Sequence, residues 1–86
     1  MRLALTVRFQ RAYAALSHED QKKVQKALRT LSADLRHAGL AVKRIRGTKG
    51  IWEARAGRAL RITFETEGNS IIPRNVGHHD DALGRP

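Results

Sequence analysis

The chain contains no cysteine, so a disulfide framework, a thiol nucleophile and a cysteine-based zinc site are all excluded. Prolines number two and aromatics only 5% of the 86 residues, too few to build a stacking platform for free single-stranded nucleic acid. Acidic residues are scarce beside basic ones, 8 against 17, which leaves a formal net charge of +9. No apolar run approaches the ~18 residues of a membrane span. Arg2 and Arg8 interrupt the opening MRLALTVRFQ, so no secretory signal is expected either. A soluble, cytoplasmic protein without membrane association is the expectation. The cationic excess argues for a polyanionic partner, nucleic acid ahead of an acidic protein. At this length, with 41% hydrophobic residues, one domain over residues 1–86 is expected, its core near the lower size limit for independent folding.

Leu3, Leu5, Val7 and Phe9 alternate with Arg2, Ala4, Thr6 and Arg8, which predicts a half-buried strand over residues 2–9. From Phe9 the spacing becomes helical, through Ala12, Tyr13 and Leu16. Ser17 followed by Glu19 and Asp20 reads as the start of a second helix, a hydroxyl cap with acids at the positive end of the dipole. Val24, Ala27, Leu28, Leu31, Leu35 and Ala38 then share one face, and Gly39 sits where a left-handed cap would end it. Residues 40–50 are irregular and basic, with a short strand expected around 42–45. Residues 51–55 and 60–65 alternate across the turn Ala56-Gly57-Arg58-Ala59 and predict two antiparallel strands. A turn at 66–69 leads to a last strand, 70–76, in which Pro73 requires an edge or a bulge. After Gly77 the tail is short and polar.

This order predicts an α+β, two-layer fold: an N-terminal strand and a helical hairpin packed on a mainly antiparallel sheet. Trp52, Ala54, Leu60, Ile62 and Phe64 form the core-facing set. Glu53, Arg55, Arg61 and Thr63 then project onto the opposite face, which the helical hairpin leaves uncovered.

Three segments carry a likeness to a known family: Gly50-Ile51-Trp52-Glu53-Ala54-Arg55, Leu60-Arg61-Ile62, and Val76-Gly77-His78-His79-Asp80. With the leading strand, the helical hairpin and the basic stretch Lys43–Gly47, they resemble the RelE/ParE superfamily of bacterial type II toxin–antitoxin systems over nearly the whole chain. The resemblance implies a compact toxin neutralised by a cognate antitoxin. In the RelE branch such toxins cut messenger RNA in the ribosomal A site; in the ParE branch they poison DNA gyrase without catalysing a reaction. By position, the alternating basic residues of the RelE strand fall on Glu53 and Arg55, the arginine of the next strand on Arg61, and the basic residue after Val-Gly-x on His79. Two features depart from RelE: an acid at position 53, and no tyrosine near the end. A C-terminal helix found in some relatives is expected to be missing or vestigial.

Cleavage of RNA by its own 2′-hydroxyl needs a base for that proton, cations for the charge on phosphorus, and an acid for the departing 5′-oxygen. Glu53 as base, Arg55 and Arg61 as cations, and His79 or its neighbour His78 as acid would fill those roles, without metal or cofactor. Glu53 has a competing reading as a cross-strand ion-pair partner of Arg55 or Arg61, worth about 0.2–1 kcal/mol. Lys43, Arg44, Arg46 and Lys49, four cations in a glycine-flanked loop, are candidate phosphate contacts, as is Arg74. His78-His79-Asp80-Asp81 is a poor metal site, because adjacent side chains in an extended segment diverge. Lys22, Lys26, Arg29 and Arg36 read as a solvated helix face.

Overall fold

The computed structural model describes Met1–Pro86. Its elements are β1 (Arg2–Leu3), α1 (Val7–Ala14), α2 (His18–Ala33), a 3₁₀ turn (Ala38–Leu40), β2 (Lys43–Arg44), β3 (Trp52–Arg55), β4 (Leu60–Glu67), β5 (Ser70–His78) and α3 (His79–Gly84). The strands form one sheet in the order β1-β5-β4-β3-β2, with β1 parallel to β5 and every other pair antiparallel. The two-layer α+β architecture expected from the sequence is therefore present, with an addition on the far side of the sheet.

The predicted N-terminal strand is cut short after Leu3. Thr6 is extended, with ψ of 157°, and its hydroxyl accepts from the Phe9 amide at 3.1 Å, so the helix begins at Val7. The same hydroxyl donates to the Pro73 carbonyl at 2.9 Å, tying the helix start to β5. The alternation that suggested a longer strand is not a burial pattern: Leu3, Leu5 and Val7 are exposed, while Phe9 is buried. Local capping chemistry at Thr6 turned the chain into α1 although β5 continues alongside, with the Ala4 amide still donating to the Ile71 carbonyl at 2.9 Å.

Ser17 caps α2 as expected, accepting from the Asp20 amide at 3.1 Å. The helix ends at Ala33, earlier than predicted, with Asp34 extended at φ −150°. The Asp34 carboxylate accepts from the Arg36 amide and His37 Nδ1 accepts from the Gly39 amide, each at 3.1 Å. Such short side-chain bonds to backbone offer the chain an alternative to helix. Leu35 still packs against the core and Leu40 is buried within it, but Ala38 is exposed.

Phe9, Val24, Leu28 and Leu31 from the helices meet Ala54, Leu60, Ile62, Phe64 and Val76 from the sheet in one core. Each fully buried large side chain contributes about 1.5–3 kcal/mol. The pairs Trp52↔Phe64 and Ala54↔Ile62 confirm the predicted register, although Trp52 is only half-buried. Pro73 sits at a bulge rather than on an edge. Phe64 opposes Pro73 and Thr63 opposes Asn75, so Arg74 is the extra residue. The bulge resets the parity of β5, letting Ile71, Pro73 and Val76 all reach the core side despite the odd step between the last two.

The tail after Gly77 is not a bare polar extension. The strand runs on to His78, and residues 79–84 form α3, whose Ala82 is completely buried. A Cβ at Gly77 would lie 3.6 Å from Asp81 Cβ and 3.9 Å from the Ala82 amide nitrogen, both ordinary contact distances, so α3 lies on the sheet with room for no more than a methyl at this position.

Candidate functional site: the second sheet face

The register sets up two rows across the face opposite α1 and α2. One row is Lys43, Glu53, Thr63 and Asn75; the other is Arg55, Arg61 and Gly77. Arg55 and Arg61 are direct cross-strand partners, as the pattern predicts, and directly opposed residues emerge on the same face. The face is only half open, which corrects the expectation of an uncovered surface. The tail runs over the β4–β5 half, where the Arg85 carbonyl accepts from Asn75 Nδ2 at 3.0 Å and the Pro86 carbonyl accepts from Thr63 Oγ1 at 3.0 Å. The β2–β3 half, with Lys43 and Arg55, stays exposed.

Glu53 lies at the border between the halves and is only 6% exposed. Its Oε1 stands 3.9 Å from Lys43 Nζ and 3.9 Å from Arg61 Nε. A carboxylate taken so far from water needs compensating charge, and the two cations supply it from the strands on either side. Arg61 is itself withdrawn, its side chain 13% exposed. Its Nη1 donates to the Gly57 and Leu60 carbonyls, both at 3.1 Å, so the guanidinium also closes the β3–β4 turn. The cross-strand ion pair anticipated for Glu53 is thus present, with Arg61 and not with Arg55. Sequence reasoning missed Lys43 as its second partner, which only the β2–β3 register could have shown.

The remaining candidates are dispersed. His78 follows Gly77 on the side of α2, with Nε2 3.5 Å from Asp20 Oδ2. His79 opens α3, its Nδ1 3.3 Å from Asp80 Oδ1, two residues beyond the strand position that faces Arg61. Arg74 is engaged: Nη1 donates to Glu65 Oε2 at 2.6 Å and Nε to the Pro86 carbonyl at 3.2 Å. Arg44, Arg46 and Lys49 are exposed around β2 and the following loop, with no carboxylate within 4.0 Å. That loop is closed by the Ile45 amide donating to the Ile51 carbonyl at 2.9 Å, and it turns through Gly47 and Gly50 at φ of +77° and +76°. No group of three or more His, Asp or Glu side chains is placed to hold a metal ion. No helix is long and apolar enough to cross a membrane.

On the helix side, an apolar groove of about 550 Å³ runs between the end of α2 and the sheet, lined by Leu35, Val42, Trp52 and Phe64 with Arg36 and His37 at its rim.

Neither a protein-family model nor a curated protein sequence matches the chain. Solved structures do. A YoeB/ParE toxin from Agrobacterium tumefaciens superimposes with a TM-score of 0.77 at 15% identity, over 92% of this chain and 99% of that one. A chain of the RelB–RelE antitoxin–toxin complex from Methanococcus jannaschii gives 0.73 at 19% identity, over 90% and 91%. A chain of the intact E. coli RelBE toxin–antitoxin complex gives 0.71 at 15%, over 90% and 94%. The chain therefore has the fold of RelE, YoeB and ParE-like toxins, as its three sequence segments imply.

Proposed function

We propose that this protein is the toxin of a type II toxin–antitoxin pair and a metal-independent endoribonuclease that cuts messenger RNA at the ribosome in the cytoplasm. The observation that carries this reading is the cross-strand pairing of Arg55 with Arg61 beside an exposed Lys43, on the open half of a face in a RelE-like fold. In the reaction, a ribose 2′-hydroxyl gives its proton to solvent water and its oxygen bonds to phosphorus as the 5′-oxygen leaves, giving a 2′,3′-cyclic phosphate and a 5′-hydroxyl end. Arg55 and Arg61 stabilise the charge that builds on the phosphoryl oxygens. His79 gives its proton to the 5′-oxygen. Burial between two cations suits Glu53 better to orienting Arg61 than to taking the 2′-hydroxyl proton. Arg44, Arg46 and Lys49 hold backbone phosphates outside the cut. A cognate antitoxin completes the pair. The net charge of +9 favours an acidic one, and the apolar groove beside Trp52 offers its amphipathic segment a place to lie.

Induction in cells with mapping of RNA ends tests the reading. New internal cuts in translated transcripts are expected, weakened by Arg55→Ala. Growth arrest with intact transcripts overturns it. One observation favours the second reading, a non-enzymatic inhibitor of DNA gyrase: Arg61 is committed to Glu53 and to the turn carbonyls, leaving Arg55 as the one exposed guanidinium of the pair. Inhibition of supercoiling by purified protein distinguishes it.

A further inference from the structure

A second concentration of positive charge lies away from the Glu53 centre. Between α2 and the β3–β4 turn runs a cleft of about 440 Å³, within the ~300–1,000 Å³ range of ligand sites. Lys23, Lys26, Thr30, His37, Arg55 and Arg58 line it, and no carboxylate does. Among its four Lys and Arg side chains only Lys23 has an acidic partner within 4.0 Å, and that contact, to Glu19 on the helix surface, is solvent-exposed and at the limit of an ion pair. Gathering unpaired cations against one wall raises the energy of the folded chain, and an anion seated among them reverses that cost.

The donors in the cleft are preset for such a ligand. His37 accepts from the Gly39 amide through Nδ1, so Nε2 is the nitrogen free to donate. The Lys23 side chain lies against the β3–β4 turn, 3.4 Å from where a Cβ on Gly57 would stand. Arg55 belongs both to this cleft and to the row that pairs it with Arg61, so the cleft continues from the open half of the sheet face. The two arginines add hydrogen-bond donors suited to phosphate oxygens, while the Thr30 hydroxyl donates to the Lys26 carbonyl at 3.1 Å. A continuous run of cations leading out of a site proposed to cut a phosphodiester fits a polymer better than a small anion.

We infer that the cleft between α2 and the β3–β4 turn binds backbone phosphates of the single RNA strand whose scissile bond lies over Arg55 and Arg61. This rests on the proposed ribonuclease reading.

The test is fluorescence-anisotropy titration of a short single-stranded RNA 2′-O-methylated at every position, which blocks cleavage, across a range of salt concentrations. The double variant Lys26→Gln/Arg58→Gln removes two cleft charges, and Lys22→Gln/Arg29→Gln removes two from α2 outside the cleft. Both alter exposed side chains, and unchanged circular dichroism and melting confirm the fold of each. The cleft variant is expected to bind at least tenfold more weakly at moderate salt. Its log–log salt slope should be lower by about 1.4, since each phosphate contact on a single strand contributes about 0.7. The control variant should stay within about threefold of the parent. Equal losses in the two variants, or no loss in the cleft variant while the parent binds, overturn the cleft and leave the ribonuclease reading intact. A parent protein that binds no RNA at all, with or without ribosomes, overturns both.

Discussion

Glu53 and Arg61 sit on neighbouring strands with Oε1 and Nε 3.9 Å apart, and both side chains are almost withdrawn from water. The same guanidinium closes the β3–β4 turn through its Nη1. One ion pair thus fixes the hairpin that carries the candidate site, and any chemistry assigned to Arg61 is coupled to stability.

Removing Arg61 should therefore cost stability. Arg61→Ala leaves Glu53 buried with only Lys43, an exposed partner, and frees the turn carbonyls. A loss of about 3 kcal/mol is expected, the lower end for a broken buried pair. Thermal or urea unfolding checks it. Glu53→Gln should cost less, about 1–3 kcal/mol, because Arg61 keeps its carbonyl acceptors. Lys43→Ala should cost no more than about 1 kcal/mol, as for an exposed pair.

Arg55→Ala separates activity from fold. The side chain is exposed and holds no carboxylate within 4.0 Å, so the melting curve should shift by less than that of Arg61→Ala. If the protein is the ribonuclease proposed above, RNA cleavage should nevertheless fall by about 10²–10³, the usual effect of deleting one donor to a developing anion. Single-turnover cleavage of a ribosome-bound message provides the measurement.

Thr6 has two bonds to lose. Thr6→Ala removes the cap of α1 and its tie to the Pro73 carbonyl, and should destabilise by about 1–2 kcal/mol in denaturant titrations. Thr6→Ser keeps both bonds and should recover most of that loss.

Gly77 should tolerate one methyl and little more. Gly77→Ala brings Cβ to ordinary contact with α3 and should leave stability nearly unchanged. Gly77→Leu should lift α3, detected as faster amide exchange at Ala82 and easier proteolysis near Arg85 while the core persists.

The sheet was the most legible part of the sequence. Leu60, Ile62 and Phe64 are large, strictly alternating and truly buried, so period and burial agreed, and the pairing of Arg55 with Arg61 followed from them. The N-terminal segment misled because Leu3, Leu5 and Val7 alternate without a surface to bury against. Asp34 ends α2 and His37 caps the following 3₁₀ turn through side-chain bonds that an apolar stripe does not register. The helix α3 was hidden because a segment of six residues with a single large apolar one, Leu83, has little helical tendency alone; it folds by laying Ala82 over Gly77. Glu53 showed its charge but not its burial, which depends on Lys43 and Arg61 approaching from separate strands. Lys23, His37 and Arg58 share no spacing, and only the folded chain gathers them.

The pairing of β1 with β5 joins Arg2 to Ser70 and Leu3 to Ile71, so the first strand made has its sole partner in the last. A nascent chain emerging from the ribosome carries residues 2–3 unpaired until the far hairpin has been translated, and closure then waits on a long-range loop. The sheet is thereby completed only after β5 has been made, and no finished copy of the fold exists mid-synthesis.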